Sequence, residues 1–219
     1  AAGATATDVF TYTVSDGTTT DTGQITFTVT GINDEPRLGA TASGGTYTEG
    51  NAAISLFNSA TSTTIDPGQR HIQLIFTVSN VVDGSDEKIT VDGSEFSLTN
   101  GTNGSTTNGS TYTVAVNGTT ATVTVSDTGW TNDEIKSLVN AMKYRNSSDN
   151  PTTSCNRTIT LTSTQDNGGT ANGGDDTRTI SVASTVALQG SNDAPIANND
   201  TGAVNEGATL SQNAGAGVR

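Results

Sequence analysis

Two short stretches of this chain, about 160 residues apart, nearly repeat each other. The first reads Gly-Ile-Asn-Asp-Glu-Pro over residues 31–36, and the second reads Gly-Ser-Asn-Asp-Ala-Pro over residues 190–195. Each is followed, after an interval, by a Glu-Gly pair, at 49–50 and at 206–207. Such a period is typical of an array of modules. We therefore expect a complete module at 37–195, the end of a preceding module at 1–36 and the start of the next at 196–219.

Alternation of polar and apolar residues predicts that the modules are all-β. Residues 9–15 and 24–30 alternate and flank Asp16-Gly17, which predicts an antiparallel pair of strands. In the middle module, residues 112–116 and 121–125 alternate around an Asn-Gly turn, a strong hairpin signal. Residues 100–110 are rich in Gly, Asn, Ser and Thr, and we expect an exposed loop without order of its own.

One helix is expected among the strands, at about 131–143. Thr131 and Glu134 have the spacing of a capping box. Ile135, Leu138 and Met142 then form an apolar stripe at helical spacing. Packing across an open end of the β-layers explains this stripe better than a partner-binding face does.

Composition excludes several classes of function. The formal net charge is −13, whereas nucleic-acid binding needs clustered Lys and Arg. The single cysteine, Cys155, excludes an intrachain disulfide and a cysteine-rich zinc site. No stretch approaches the roughly 20 apolar residues of a membrane span, so we expect no membrane insertion.

No motif of an enzyme is present, and we expect the chain not to be one. His71 is the only histidine. A triad would require an activated serine and an acid beside it, and nothing in the sequence places them there. A half-exposed strand histidine is the preferred interpretation.

The repeated residues are oxygen donors, which suits a hard cation. Calcium takes six to eight oxygens from carboxylates, amide side chains and backbone carbonyls. Asn33-Asp34 and Asn192-Asp193 each supply two side-chain donors, stiffened by a proline two residues later. The alternative is that these are only turns. Asp175-Asp176, in a Gly-rich loop, is interpreted as a solvated turn.

Several motifs, taken in order, resemble bacterial cadherin-like and VCBS-type tandem repeats. Residues 12–17 (Tyr-Thr-Val-Ser-Asp-Gly) and 33–36 (Asn-Asp-Glu-Pro) are similar to the end of such a repeat. Residues 47–50 (Tyr-Thr-Glu-Gly) resemble its opening, and 142–151 its segment after the helix. Residues 192–195 (Asn-Asp-Ala-Pro) resemble its closing linker.

The resemblance implies tandem Ig/cadherin-like β-sandwich modules with calcium at their junctions. By analogy with cadherins, the implied ligands of the first junction are Asn33, Asp34, Asp66 and Asp166. Those implied for the second are Glu49, Asn192 and Asp193, with acids of the next module. Ile65-Asp66-Pro67-Gly68 holds one acid where the family pattern has two, which implies only one or two ions at each junction.

Two functions follow as hypotheses. The first is a structural spacer in a large secreted surface protein, such as an RTX-type adhesin or an extracellular filament. Its partners would be neighbouring repeats or copies, joined head-to-tail by pairing of 196–219 with 1–35 of a neighbour. The second is a carbohydrate-binding module for surface glycans, with Trp130 as the candidate stacking residue.

Overall fold

The computed structural model describes residues 2–194 and 205–207, and in these residues the chain is mostly β, with several sheets and one short α-helix. The strands in chain order are β1 (Thr5–Ser15), β2 (Thr20–Thr30), β3 (Arg37–Ala42), β4 (Thr46–Thr48), β5 (Ile54–Ser55), β6 (Phe57–Thr63), β7 (His71–Ser79), β8 (Glu87–Val91), β9 (Ser94–Ser97), β10 (Asn103–Ser105), β11 (Thr111–Asn117), β12 (Thr120–Trp130), β13 (Lys143–Asn146), β14 (Arg157–Asp166) and β15 (Thr177–Gln189). The helix α1 spans Asn132–Asn140, and short 3-10 helices span Gly84–Asp86 and Ala171–Gly173. The expected predominance of β-structure is confirmed.

Strands β1 and β2 form a two-stranded antiparallel sheet by themselves. The register runs from Thr5 opposite Thr30 to Ser15 opposite Thr20, so both strands are longer than the alternating runs that predicted them. At the turn, Asp16 Oδ1 accepts hydrogen bonds from the backbone N–H groups of Thr18 and Thr19, both at 2.8 Å. The predicted pair of strands is confirmed.

The middle of the chain is built from two larger sheets and one small one. The order of the larger sheets is β10-β11-β12-β7-β14-β15-β4 and β5-β13-β8-β9, and the small sheet pairs β3 with β6. Phe76 of β7, Ile89 of β8 and Tyr144 of β13 are buried in one continuous core. Tyr47 of β4 meets Tyr144 edge to face at 6.2 Å and thereby ties the two larger sheets together.

Two strand pairings position the sites described below. The predicted Asn-Gly hairpin is confirmed, because β11 pairs with β12 and Asn117 lies opposite Thr120. At the other end of the seven-stranded sheet, β4 pairs with β15 in parallel, with Thr46–Thr48 opposite residues 187–189. Every other strand pairing among the residues that the structure describes is antiparallel.

Helix α1 is shorter than the expected range of about 131–143. Thr131 is the N-cap rather than a helical residue, and its hydroxyl and the Glu134 side chain complete the predicted capping box. The helix ends at Asn140, and β13 begins three residues later at Lys143. Ile135, Leu138 and Met142 are buried, and α1 packs mainly against β6, so the interpretation of the stripe as core is confirmed.

Residues 100–110 are more ordered than their composition suggested. Residues 103–105 form β10 and pair with β11. The hydroxyls of Thr106 and Ser110 each donate to Asp92 Oδ2 at 2.6 Å. Side-chain hydrogen bonds to one buried carboxylate therefore hold this segment in place.

The expected start of a next module, 196–219, lies outside the described residues except for 205–207. Glu206 and Gly207 form a turn in which Gly207 has φ of 81°. Glu49 and Gly50 form a similar turn, with φ of 74° at Gly50. No helix within the described parts of the chain is long and apolar enough to cross a membrane.

Candidate metal site

The first linker is anchored at Asn33, whose side chain is buried in the loop that follows β14. Its amide nitrogen donates to Asp166 Oδ1 at 3.1 Å and to the carbonyl of Asp175 at 2.8 Å. Its amide oxygen accepts from Gln69 Nε2 at 2.5 Å. The backbone N–H of Asp175 also donates to the Asn33 carbonyl at 3.0 Å. The linker between β2 and β3 is therefore fixed to the middle module.

Asp66 joins the hairpin and the linker to the same place. Its Oδ1 accepts from the backbone N–H of Ala2 at 2.8 Å, and its Oδ2 accepts from the N–H of Asp34 at 3.1 Å. The bond from Asp34 is the main cause that lowers the pKa of the Asp66 carboxyl below its ordinary value. Asp66 is thus held in its ionised form.

Asp166 is the most deeply buried carboxylate of this cluster, with 1% of its surface exposed. Its Oδ1 accepts from the backbone N–H of Gly168 at 2.8 Å as well as from Asn33. Its Oδ2 is buried and has no hydrogen-bond partner. Burial raises the pKa of the Asp166 carboxyl, and the nearby carboxylates of Asp176 and Asp66 raise it further. One buried oxygen of this cluster therefore faces no compensating group.

The structure brings together the four residues implied for the first junction, but they contribute differently. Asn33, Asp66 and Asp166 present side chains, whereas Asp34 contributes its backbone N–H and its side chain is exposed. We name the set Asn33, Asp66, Asp166 and Asp176 the junction cluster.

Sequence reasoning missed three contributors to this cluster. They are Gln69, the backbone of Asp175, and Asp176, whose carbonyl accepts from the N–H of Asp166 at 2.9 Å. Gly168 also matters, because a Cβ there would collide with the Asn33 amide. The sequence feature that could have identified them is the pair of acids Asp175-Asp176 in the Gly-rich loop. The interpretation of that loop as only a solvated turn was wrong for its backbone, which binds the linker.

The donor chemistry of the junction cluster suits a hard cation. Its free oxygen belongs to a carboxylate, and carboxylates, amides and backbone carbonyls are calcium ligands. Within residues 2–194 and 205–207, no three His, Cys, Asp or Glu side chains lie close enough to hold a metal ion by themselves. Amide, backbone or water oxygens would therefore have to complete any coordination shell.

The second junction is only partly assembled in the described residues. Glu49 is buried, its N–H donates to the carbonyl of Gln189, and its Oε2 accepts from the N–H of Ser191, both at 2.9 Å. Glu49 and Asp193 line a cleft of about 270 Å³. Asn192 is exposed, does not line this cleft, and donates to the Asp193 carbonyl at 3.3 Å.

A second group of buried charges lies between the two larger sheets, and we name it the arginine cluster. Arg157 is fully buried, and its Nη2 lies 2.6 Å from Glu87 Oε1 and 2.7 Å from Asp83 Oδ2. The hydroxyl of Tyr144 donates to Glu87 Oε2. Burial alone would raise the pKa of Asp83, but hydrogen bonds from Thr152 and the charge of Arg157 help to lower it. Sequence reasoning did not find this cluster.

His71 is fully buried, so the expectation of a half-exposed histidine was wrong. Its Nε2 lies 2.7 Å from Ser62 Oγ, and its Nδ1 lies 2.9 Å from Thr164 Oγ1. Burial lowers the pKa of the imidazole, which favours the neutral ring. Both ring nitrogens therefore meet hydroxyls, and the position of a triad acid is taken by Thr164.

Trp130, the candidate sugar-stacking residue, is 5% exposed. Its indole N–H donates to Ser110 Oγ at 3.3 Å. A cleft of about 660 Å³ runs beside it, lined by acidic residues such as Asp92, Asp127 and Glu134 and by apolar ones such as Leu138. Because the ring face is covered, Trp130 gives no support to carbohydrate binding by aromatic stacking.

Comparison of this chain with protein-family models, curated proteins and solved structures finds no match in any of the three.

Proposed function

We propose that this chain is a structural spacer of a bacterial cell-surface adhesin or extracellular filament, built from cadherin-like β-sandwich modules that calcium stiffens at their junctions. The observation that carries the proposal is the junction cluster. There the linker residue Asn33 is bound to a buried carboxylate, Asp166, whose second oxygen has no hydrogen-bond partner. A spacer needs a fixed angle between modules, and this cluster binds the linker after β2 to the loop that follows β14.

The charge of the junction cluster supports an external cation. Burial and two neighbouring carboxylates disfavour the ionised form of Asp166. Nearby Arg178 pairs with Glu35 of the linker instead. A divalent cation bound here would supply the missing positive charge and hold oxygens of the linker and the module together.

Three acidic side chains are the candidate ligands of this cation. Asp166 offers its unpartnered Oδ2, and the carboxylates of Asp66 and Asp176, whose charges act on Asp166, would have to move closer or bind through water. Asn33 positions Asp166 through its amide nitrogen. At the second junction Glu49 and Asp193 would act in the same way, with Asn192 on the adjoining linker.

The unpaired edges of the β1–β2 sheet support joining of copies head-to-tail. The sheet of β1 and β2 has two open edges in the described residues, and open edges accept further strands. A neighbouring repeat or a second copy could complete it, as the sequence predicts for residues 196–219. A module of this kind would work outside the cell, where calcium is abundant.

Calcium removal tests the proposal. Extracellular modules bind calcium with dissociation constants of roughly 10⁻⁴–10⁻³ M. A few millimolar calcium should then stabilise the folded chain by about 1–2 kcal/mol by mass action. We expect a higher Tm and a narrower distribution of module angles in small-angle scattering with calcium than with EDTA. Magnesium serves as the control cation, and identical melting curves and scattering profiles under all conditions would overturn the proposal.

A further inference from the structure

The hairpin of β1 and β2 exposes large apolar side chains on one of its faces. Phe10, Val14, Phe27 and Val29 are each more than half exposed. A two-stranded hairpin is marginal in water, and contiguous apolar surface of this kind marks an interaction site. The hairpin therefore has an apolar face that further structure would cover, and its unpaired edges could be joined by another strand.

The same chain shows how an equivalent hairpin is completed. Strands β14 and β15 end in the sequence Gly-x-Asn-Asp-x-Pro, as β1 and β2 do. Aligning Gly190 with Gly31 places Leu188 at Val29 and Val186 at Phe27. Leu188 is 6% and Val186 0% exposed, whereas Val29 is 62% and Phe27 54% exposed. The sequences alternate alike, and the difference is that Val186 and Leu188 belong to the hydrophobic core of the middle of the chain, where β15 is also flanked by β14 and β4.

The edge of β15 near its end is covered by β4, which runs parallel to it. Thr46, Tyr47 and Thr48 lie opposite Ala187, Leu188 and Gln189. Beyond the strand, Glu49 fixes the pairing twice, through its N–H on the Gln189 carbonyl and its carboxylate on the Ser191 N–H.

The backbone N–H and carbonyl groups of β2 point to its open edge at the positions that correspond to those of β15 which bond with β4. Gly31 directs its N–H to Ala4 and its carbonyl to Gly3, on the β1 side. Because successive residues of a strand point their backbone groups to opposite sides, Thr30 and Thr28 direct theirs to the open edge. These positions correspond to Gln189 and Ala187, whose groups bond with the segment of β4. The alignment is thus consistent with the hydrogen-bonding phase of both hairpins.

The chain also contains a second version of the covering segment. Aligning the two Glu-Gly pairs places residues 203–207 (Ala-Val-Asn-Glu-Gly) on 46–50 (Thr-Tyr-Thr-Glu-Gly). Of these, 205–207 are described, and Gly207 has the positive φ of Gly50.

We propose that residues 203–207 of a second copy add to the open edge of β2 as a short parallel strand. Ala203, Val204 and Asn205 would lie opposite Thr28, Val29 and Thr30. Glu206 would then donate its N–H to the Thr30 carbonyl and accept the Ile32 N–H with its carboxylate. The inference rests on the head-to-tail assembly proposed above and specifies its partner segment, direction and register.

Disulfide trapping between two different copies tests this register. In a Cys155→Ser background, one protein carries Val29→Cys and the other carries Val204→Cys. Directly opposed residues of paired strands have the Cα separation that a disulfide needs. Mild oxidation of the mixture should then give a covalent heterodimer. Intramolecular bonding is excluded because each chain has one cysteine.

The matched control moves the second cysteine by one residue. Ala203→Cys places the thiol on the opposite face of the added strand, so it should crosslink to Val29→Cys at least about tenfold more slowly. Glu206→Gln should weaken association of otherwise unmodified copies about five- to tenfold, because a charge-assisted hydrogen bond is lost.

The outcomes separate this inference from the proposal on which it rests. If light scattering shows assembled copies but both cysteine pairs react equally, assembly stands and the register is wrong. If no crosslink or assembly forms while calcium still raises the Tm, the calcium-stiffened spacer stands and this inference is wrong. Selective crosslinking without any effect of calcium supports the inference and overturns the calcium proposal.

Discussion

The arginine cluster and the junction cluster both bury carboxylates that come from segments far apart in the sequence. In the arginine cluster, Glu87 and Asp83 share the fully buried guanidinium of Arg157. In the junction cluster, the charges that act on Asp166 are those of Asp66 and Asp176, which are also negative. The first cluster holds its own cation, and the second does not.

The difference shows two ways to manage the cost of removing a carboxylate from water. That cost is several kcal/mol for each ion, and it must be offset by opposite charge and by hydrogen bonds. An internal arginine makes the offset permanent, which suits the space between two sheets of one module. A site without its own cation makes the offset depend on the medium, which is what the proposed calcium-dependent junction requires.

Removing the arginine should have the largest effect. Arg157→Met leaves Glu87 and Asp83 buried without a positive charge beside them, so the free energy of unfolding should fall by about 3–5 kcal/mol. Urea denaturation measures this change, with Arg178→Met as the control, because the exposed Arg178–Glu35 pair should contribute under about 1 kcal/mol. Equal losses for the two variants would contradict the distinction between them.

Neutralising Asp166 should have an effect whose sign depends on calcium. In EDTA, Asp166→Asn removes a buried charge that no positive charge compensates, so the Tm should rise. In millimolar calcium it should abolish the stabilisation of about 1–2 kcal/mol expected from the ion. Scanning calorimetry in both buffers checks this reversal. A variant that is destabilised equally in both would show that Asp166 acts only as a hydrogen-bond acceptor.

The second junction should depend less on one carboxylate. Asp193 is exposed, so Asp193→Asn should reduce the calcium-dependent gain in unfolding free energy by less than about 0.5 kcal/mol. Calcium titrations followed by calorimetry compare it with Asp166→Asn. A larger loss for Asp193→Asn would move the main calcium site to the second junction.

The two clusters should respond to acid in opposite directions, with the smallest effect on stability. The pKa of Asp166 is raised, so without calcium its contribution falls as the pH rises above its ordinary value of 3.8. The pKa of Asp83 is lowered, so its contribution is present above 3.8 and is lost as the pH falls below it. Denaturation between about pH 3 and pH 6 should show a flatter profile above 3.8 for Asp166→Asn and below it for Asp83→Asn. Parallel profiles for the two variants would contradict this contrast.

Local signals in the sequence predicted the elements whose interactions are local. The capping box of α1 joins residues three apart, and the β11–β12 turn needs only Asn117 and Gly118. The arginine cluster joins Arg157 to Glu87, 70 residues away, and no short pattern records such a contact. The order of residues 100–110 was missed for the same reason, because it depends on Asp92.

The candidate site could be predicted in part because its residues recur. The repeated Asn-Asp identified Asn33, and the resemblance supplied Asp66 and Asp166. Sequence could not show that Asp34 contributes its backbone rather than its carboxylate, because that depends on how the linker is turned. Nor could it show that Asp166 Oδ2 is left without a partner, because burial is set by the packing of the whole loop.

The parallel pairing of β4 with β15 determines how tension would pass through the module. Strand β3 lies between the first linker and β4, and β15 precedes residue 190, so once β3 is released a force between residue 45 and residue 190 pulls β4 and β15 in opposite directions. Because the strands are parallel, this force loads their backbone hydrogen bonds together in shear, whereas an antiparallel hairpin pulled from its open end separates one bond at a time. Forced unfolding is governed by the barrier to unfolding. We expect Tyr47→Pro, which removes a side chain and an N–H from this short pair, to lower the rupture force in single-molecule stretching. Three residues at the edge of the sheet would then set how strongly the pairing of β4 with β15 resists being stretched.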